Sequence, residues 1–311
     1  DISKLDDNYW KAIKLKEVSD LIQNCLGLRL QFNTFQETGV VKTSLPTQLL
    51  ILNPSPIAIK LEKIDGAINL EISKKLVQNQ PWESRQNYQI PDKISTPYWL
   101  LKNGDLGNYY VQNESLKGLA ETPNPIKVNF NVIINNTYIP IQVPLKYKTT
   151  DRVAGEVLQN FQILPKATIQ LKDKVILFQK DKVKKVSLQV RAHIQNFKGF
   201  VTLKVPKNWG FFPKKQDVKI DRAGAVKEFI FSVTPPKGSD TGIFSGLVSD
   251  GIQDYNMTLE EIEYPHISKQ YMLSPNKTIA SKIDLKSKVS KVAYLKGAGD
   301  KVAESLRNIG I

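Results

Sequence analysis

The feature that most constrains the fold of this chain is a period of two in its apolar residues, interrupted by turn residues. Leu28, Leu30 and Phe32 alternate with polar residues, and the same alternation returns along much of the chain. Successive side chains of a β-strand point to opposite faces, so the alternation predicts strands that bury one face. Short strands separated by turn signals at a spacing of roughly ten residues are typical of β-sandwiches. We therefore predict a mainly β protein.

The alternating segments form two series, which we interpret as two tandem immunoglobulin-like β-sandwiches at residues 28–150 and 151–265. The polar stretch Thr149-Thr150-Asp151-Arg152 has no apolar pattern and is the predicted boundary. A loop is predicted over residues 73–97, which are rich in Asn, Gln and Pro. The strands predicted in the second sandwich are 168–171, 175–179, 183–194, 199–205, 218–220, 226–233 and 242–248.

Residues 1–27 have a helical pattern instead. Apolar side chains recur at helical spacing from Tyr9 to Cys25, Asp6 and Asp7 are placed at the start, and Gly27 is placed to end the helix. We predict one amphipathic helix that packs on the next domain or on a segment upstream. Cys25 is the only cysteine, which excludes an internal disulfide, and we expect it to be buried on this helix.

The end of the chain has a different pattern. Residues 266–290 are rich in lysine and weakly patterned, which predicts a connector. Residues 291–311 predict a strand, a turn and a helix, as in the truncated start of an α/β domain. The turn, Gly297-Ala298-Gly299-Asp300, has Val302 where a dinucleotide-binding loop needs its third glycine, so we interpret Asp300 as a helix cap. We expect this end to fold back on the second sandwich or to be poorly ordered.

The formal net charge of +14 raises the question of an anionic partner. Lysines are spread along the whole chain, and arginine, which reads phosphates and base edges better, is scarce. Solvated strand faces are the favoured interpretation, a functional basic patch is the alternative, and nucleic acid is not an expected partner. No apolar run approaches the roughly 18 residues of a membrane-spanning helix, so no membrane span is expected.

Catalytic patterns are weak in this sequence. The two histidines, His193 and His266, lie far apart and have no partner at metal-ligand spacing. The acidic pair Glu260-Glu261 lies in a strand pattern, where adjacent side chains point to opposite faces. We therefore assign no catalytic residue and no metal ligand to this chain.

Aromatic residues are the remaining candidates for a binding site. Tyr98, Trp99, Trp82 and Trp209 all lie beside prolines or glycines, where loops expose side chains. One interpretation is that these rings are exposed at the end of a sandwich and stack on a glycan ligand. The favoured interpretation for each ring is that it fills the end of the sandwich as ordinary core.

The order of several segments resembles one known arrangement. These segments are KLKEVSDLIQNCLGL, NPSPIAIKL, STPYWL, YKTTDRVAGEV, LKVPKNWGFFP, EYPHISKQ and VAYLKGAGDKVAESLRNIG. Together they resemble the region downstream of the catalytic domain in large bacterial, Bacteroidetes-type proteins of the PIG-L (LmbE-like) de-N-acetylase family.

The resemblance implies a zinc-dependent parent enzyme that removes acetyl groups from N-acetylglucosamine-type substrates. The family's His-Pro-Asp-Asp-Glu motif does not occur in this chain, so zinc is expected only in an absent catalytic domain. The chain is then a fragment, whose partners are its own upstream catalytic domain, a downstream α/β domain and a glycan. The resemblance also favours a location outside the cytoplasm, in the periplasm.

Three functions stay open at this point. The first is a non-catalytic accessory region that positions an enzyme on glycans. The second is a structural or self-association module without a ligand. The third is an enzyme that uses carboxylates whose pattern the sequence does not reveal.

Overall fold

The computed structural model describes residues 2, 6–102, 104–179, 181–264, 266–283, 289, 291–295 and 297–308, without the side chains of Glu304 and Asn308. The chain divides into two compact units. The first comprises Asp1–Ile163 and Glu263–Lys269, and the second comprises Leu164–Ile262 and Gln270–Ile311. Both are built mainly from β-strands, which confirms the prediction from the alternating pattern. The immunoglobulin-like topology stays a prediction.

The first unit is a five-stranded sheet and a four-stranded sheet preceded by one helix. Its elements are α1 (Asn8–Leu26), β1 (Arg29–Thr34), β2 (Thr38–Val40), β3 (Ser44–Leu52), β4 (Ile59–Gly66), β5 (Leu70–Lys75), β6 (Trp82–Gln89), β7 (Lys127–Ile134), β8 (Thr137–Pro144), β9 (Lys146–Asp151), β10 (Gly155–Asn160) and β11 (Gln162–Leu164). The strand orders are β10-β9-β1-β3-β6 and β5-β4-β7-β8, and β2 pairs with β11.

The core of the first unit comes from alternate residues of its strands. Leu45, Leu49 and Ile51 of β3 are fully buried, as are Val128 and Phe130 of β7. Burying a side chain of this size stabilises a fold by about 1.5 to 3 kcal/mol. The residues between them point the other way, so each sheet has one buried face and one outer face.

Helix α1 begins and ends where the sequence predicts. The Asp7 carboxylate accepts hydrogen bonds from the backbone N–H groups of Tyr9 and Trp10, at 2.9 and 3.2 Å. Gly27 has a φ of 63°, a left-handed conformation that glycine adopts without strain. The helix packs alongside β8, and none of its residues is fully buried.

The second unit contains two larger sheets. Its elements are β12 (Ala167–Leu171), β13 (Val175–Gln179), β14 (Lys184–Ala192), β15 (Phe197–Lys204), β16 (Gly210–Phe212), β17 (Gln216–Ile220), β18 (Val226–Thr234), β19 (Asp240–Ser249), β20 (Asp254–Tyr255), β21 (Met257–Ile262), β22 (Gln270–Pro275), β23 (Thr278–Ile283) and α2 (Val302–Asn308). One sheet has the order β12-β14-β18-β16 and the other β13-β23-β19-β15-β17, with β20 beside β19 and β21 paired with β22. Apolar residues of these strands form one buried cluster around Phe178, Trp209 and Phe231.

Asn276 joins three parts of the second unit through its buried side chain. Its Oδ1 accepts the backbone N–H of Gly246 at 2.7 Å, and its Nδ2 donates to the Thr258 hydroxyl at 3.0 Å. That hydroxyl donates in turn to the backbone oxygen of Ile169 at 2.9 Å. The amide thus links β19, β21 and β12, and it satisfies backbone groups that have no water nearby.

The boundary predicted at residues 149–152 is wrong. Residues 149–151 belong to β9, which forms a hairpin with β10 from the pair Lys146 and Asn160 to the pair Asp151 and Gly155. The two strands form an edge of the five-stranded sheet, where none of their residues is fully buried. Because such strands carry no apolar alternation, they look like a linker in the sequence. The division between the units falls at residues 163 and 164.

Two other segments were predicted to lack strands and contain them. Residues 73–97 contain β6, and the predicted connector 266–290 contains β22 and β23. Strand β6 is an edge strand with no fully buried residue. In β23 the apolar residues are interspersed with serine, threonine and lysine. Neither strand therefore has a strong alternation of apolar and polar residues. Burial of Ala280 and Lys282 in β23 shows that tertiary packing outweighs the weak local pattern.

The predicted strand near residue 291 does not form. Residues 291–295 have no strand partner among the described residues, and Leu295 is almost fully exposed. Asp300 accepts the backbone N–H of Val302 at 3.3 Å, as predicted for a cap, and α2 packs against β13 in the second unit. Residues 309–311 of the predicted α/β start lie outside the described residues. In the described part of the chain, no helix is long and apolar enough to cross a membrane.

Replacing Asn276 with alanine is expected to destabilise the second unit by about 2 to 3 kcal/mol, because it leaves the Gly246 N–H buried without an acceptor. Urea unfolding, followed by circular dichroism, measures the effect. Asn256→Ala is the matched control, since Asn256 is exposed and contributes only its backbone oxygen to Asn276. A similar stability for the two variants would contradict this role of the amide.

Candidate functional site

Trp209 lies in the core of the second unit and not in an exposed loop. Its side chain is 5% exposed, and its ring meets those of Phe178 and Phe244 edge to face at centroid distances of 4.8 and 5.0 Å. Its Nε1–H donates to Asp240 at 2.8 Å. A buried indole with a satisfied N–H cannot stack on a sugar, so the interpretation of Trp209 as ordinary core is confirmed and the glycan-contact interpretation is wrong for this residue.

The other three predicted aromatic residues belong to the first unit. Tyr98 is buried, and its hydroxyl donates to the backbone oxygen of Leu119 at 2.9 Å, which also confirms the interpretation as ordinary core. Trp99 is half-buried and meets Tyr98 edge to face at 4.9 Å. Trp82 is half-buried on β6, opposite the buried Ile51 of β3. Within the described part of the chain, the Tyr98–Trp99 pair is the one ring contact among the four. Sugar contact at Trp82 and Trp99 stays a prediction.

His193 is held in a structural position directly after the end of β14. Its Nε2 lies 3.0 Å from the Thr168 hydroxyl, and its backbone N–H donates to the oxygen of Lys166 at 2.8 Å. The pKa of His193 is lowered to about 4, mainly by burial and also by the positive charge of Arg191, while Glu261 opposes the shift. The imidazole is therefore neutral at physiological pH.

The other titratable candidates are dispersed. His266 is exposed, with its ring 5.9 Å from that of Tyr264. Cys25 is also exposed, so its predicted burial is wrong, because the face of α1 that bears it is not covered by the described residues. Over the described ranges, no group of three or more His, Cys, Asp or Glu side chains is arranged to hold a metal ion.

The most organised polar surface lies on the outer face of the four-stranded sheet of the first unit. We call it the amide row, which consists of Asp65, Lys127, Asn129, Asn131 and Gln142. Register brings these residues together, since Asn129 of β7 pairs with Asp65 of β4 on one side and with Gln142 of β8 on the other. Asn129 and Asn131 alternate with the buried Val128 and Phe130, so they lie on the opposite face of the sheet, where Asn129 is half-buried and Asn131 is buried.

A chain of hydrogen bonds runs along the amide row. The Lys127 Nζ donates to Gln142 at 3.1 Å, and the Gln142 Nε2 donates to Asn129 at 3.4 Å. Asn129 and Asn131 then donate to the two carboxylate oxygens of Asp65, at 2.8 and 3.0 Å. Because each donor is oriented by the next acceptor, the row is fixed before any ligand arrives.

The charge at the end of the amide row is also fixed. The hydrogen bond from Asn129 lowers the pKa of Asp65, and Lys63, whose Nζ lies 3.3 Å from the carboxylate, lowers it as well. Asp65 is therefore ionised at neutral pH. Tyr138, half of whose side chain is exposed, lies on the same face as Gln142 and provides a flat apolar surface beside these polar groups.

Helix α1 and the outer sheet face form the two sides of a groove, which we call the α1 groove. It has a volume of about 780 Å³, which lies in the range of small-molecule sites. Lys127, Asn129 and Gln142 line the sheet side, and Leu15 and Asp20 line the helix side. The groove therefore combines amides, both signs of charge and aliphatic surface.

This arrangement is suited to bind a polyhydroxylated ligand. A sugar hydroxyl both donates and accepts hydrogen bonds, and the side-chain amides of Asn129 and Gln142 do the same. The second N–H of Gln142 and the remaining donors of Lys127 make no hydrogen bond to another described residue, so they are available to a ligand. No local sequence pattern indicates the whole of this site, because Asn129 is separated from Asp65 by 64 positions and from Gln142 by 13. The outward amides of an otherwise apolar β7 are the signal that would have found it.

Comparison with known proteins assigns no family. No family model and no curated protein matches the sequence. Similar solved structures include a protein of unknown function from Porphyromonas gingivalis W83, with 8% identity and a TM-score of 0.23 over 82% of this chain and 98% of that one. They also include Salmonella alpha-2-macroglobulin reacted with methylamine, with 10% identity and a TM-score of 0.28 over 82% of this chain and 16% of that one.

A third similar structure is Escherichia coli alpha-2-macroglobulin in its native conformation, with 10% identity and a TM-score of 0.29 over 83% of this chain and 17% of that one. This chain thus spans only 16 and 17% of the two macroglobulins. At these identities and TM-scores, the similarities assign neither a family nor a function.

The stability of the second unit is expected to fall as the pH is lowered from 6.5 towards about 4, since His193 stays neutral in the folded state while it is protonated in the unfolded state. In that range the difference in unfolding free energy between wild type and His193→Gln should change by up to about 1.4 kcal/mol per pH unit. Urea unfolding at a series of pH values measures it. His266→Gln is the control and should parallel the wild type, and a pH-independent difference for His193→Gln would contradict the structural assignment.

Proposed function

We propose that this chain is an accessory β-sandwich region that binds a glycan and so positions an enzyme domain on it. The observation that carries the proposal is the amide row, an oriented chain of hydrogen bonds that lines the α1 groove with donors and acceptors available. The groove lies on one outer face of a sandwich whose core is complete without it. Its polar groups are therefore not required to fill the interior.

The ligand class follows from the chemistry of the groove and from the family resemblance. Amides, a carboxylate and an ammonium group match hydroxyl and acetamido groups, which offer both donors and acceptors. The resemblance to PIG-L de-N-acetylases supplies N-acetylglucosamine-type glycans as the class of ligand. Under this proposal, zinc and hydrolysis belong to a catalytic domain other than the two units described here, and the sandwiches contribute binding.

Binding of N-acetylchitotetraose to the chain is expected to weaken roughly five- to tenfold on Gln142→Ala, because one net hydrogen bond is worth about 1 kcal/mol. Isothermal titration calorimetry measures the dissociation constant. Cellotetraose, which has the same length and no acetamido groups, shows whether the acetamido group is recognised.

The matched control for this experiment is Gln89→Ala, since Gln89 is an exposed glutamine on β6, outside the amide row. It should bind the sugar as the wild type does. Absence of binding by the wild type, or an equal loss in both variants, would reject the amide row as the glycan site.

The alternative function is self-association, and the surface of α1 favours it. Tyr9, Trp10 and Leu21 expose 65, 51 and 61% of their surface, which is unusual for large apolar residues. Two copies of the chain that pair through this helix bury the same residues from both sides, as a two-fold symmetric interface requires. In this case the sandwiches fix the spacing of domains and need no ligand.

If α1 mediates self-association, the sedimentation coefficient of the wild type should rise with concentration, and the double variant Trp10→Ser, Leu21→Ser should sediment as a monomer. Sedimentation velocity over a hundredfold range of concentration measures this. Ile252→Ser is the control, since Ile252 is 91% exposed on another part of the surface. A wild type that stays monomeric at every concentration would reject this alternative.

A further inference from the structure

A second concave surface lies on the outer face of the five-stranded sheet of the first unit. We call it the Arg85 pocket, and its volume is about 440 Å³. The lining side chains that the argument uses are Phe35, Pro46, Gln48, Arg85 and Asn87. None of these residues belongs to the amide row or to the α1 groove.

Strand register explains why these residues meet. In the pairing of β3 with β6, Pro46 lies opposite Asn87 and Gln48 lies opposite Arg85. Thr47 lies between Pro46 and Gln48 in the chain. It is buried, and its hydroxyl donates to the Gln86 backbone oxygen at 2.8 Å. The four side chains on either side of it therefore point outward as two adjacent cross-strand pairs.

Phe35 extends the pocket with an exposed ring. It directly follows β1, two residues after Asn33, which pairs with Gln48. Its ring is 64% exposed although it adjoins polar side chains. A large exposed ring in a concave surface provides a stacking face for the apolar side of a ligand.

Arg85 places an exposed guanidinium at the Arg85 pocket. It makes no ion pair or hydrogen bond with any residue that the structure describes, although Glu83, which keeps its negative charge and accepts from Gln48 Nε2 at 3.0 Å, lies nearby. Guanidinium binds carboxylates through two parallel hydrogen bonds, a geometry that lysine cannot reproduce. The Arg85 guanidinium is therefore available to bind the carboxylate of a ligand.

The backbone of the Arg85 pocket favours a sugar over a peptide as that ligand. The pocket floor is formed by β3 and β6, whose facing N–H and C=O groups pair with one another, so only the outer edge of β6, beside the pocket floor, offers free backbone groups. A peptide laid across them would find few backbone partners, whereas side-chain amides such as Gln48 and Asn87 suit hydroxyl groups. We propose that the Arg85 pocket binds a carboxylate-bearing sugar, with Arg85 on the carboxylate and Phe35 against the sugar ring.

The test is the binding of oligogalacturonate of four units to the full chain, measured by isothermal titration calorimetry at 0.15 M salt. We expect Arg85→Gln and Phe35→Ala each to weaken binding at least tenfold. Arg85→Lys should lose most of the affinity as well, since it keeps the charge but not the paired hydrogen bonds. The methyl-esterified oligosaccharide has no carboxylate charge. The wild type should bind it as weakly as Arg85→Gln binds the unesterified oligogalacturonate.

Arg152→Gln is the matched control, since Arg152 is exposed outside the Arg85 pocket and the substitution removes the same charge. It should leave the affinity within twofold of the wild type. An equal loss in Arg152→Gln would overturn the proposal, because it would show general attraction to a chain of net charge +14. No detectable binding by the wild type, or equal affinity for a tetraglutamate peptide, would also overturn it.

Discussion

The pairing register of β7 with β4 and β8 is the constraint on which the surface of the first unit depends. The side chains of a strand alternate with a period of two, so a shift of one residue would bury Asn129 and expose Val128 and Phe130. The loss of two fully buried apolar side chains would cost several kcal/mol, to which the burial of unpaired amides would add. The core therefore fixes the register, and the register places the amide row.

The same reasoning applies to the other sheet of this unit. Leu45, Leu49 and Ile51 fix the register of β3, and Pro46 and Gln48 between them are consequently directed to the Arg85 pocket. Apart from the buried Asn131, the side chains of the two surfaces lie outside the interior, so they are free to vary without loss of the fold. This separation of core from surface lets one sandwich architecture carry unrelated binding functions.

The sequence predicted the fold where alternation was strong and failed where it was weak. Seven of the eight strands from β12 to β19, all except β16, were placed correctly because their inward residues are apolar. Edge strands such as β6 and β10 show little burial, and the period is invisible in them. The candidate sites were less predictable, because a proline or glycine beside Trp209 does not reveal that Asp240, 31 residues away, will hold its indole. The amide row and the Arg85 pocket likewise depend on cross-strand neighbours, which no local pattern contains.

The amide row and the Arg85 pocket differ in the charges that surround each of them, and the net charge of the whole chain does not reveal this difference. In the amide row, Lys63 and Lys127 accompany the ionised Asp65, so the field there is mixed and suits a neutral ligand. In the Arg85 pocket, the nearby Glu83 accepts a hydrogen bond from the Gln48 amide and keeps its negative charge, so the guanidinium binds a ligand through short paired hydrogen bonds more than through a net positive field. Charges elsewhere on the chain are screened over about 8 Å at physiological salt, which makes most of the 44 basic residues irrelevant to either surface. The excess of lysine therefore does not by itself define a partner, whereas the neighbours of each individual charge do.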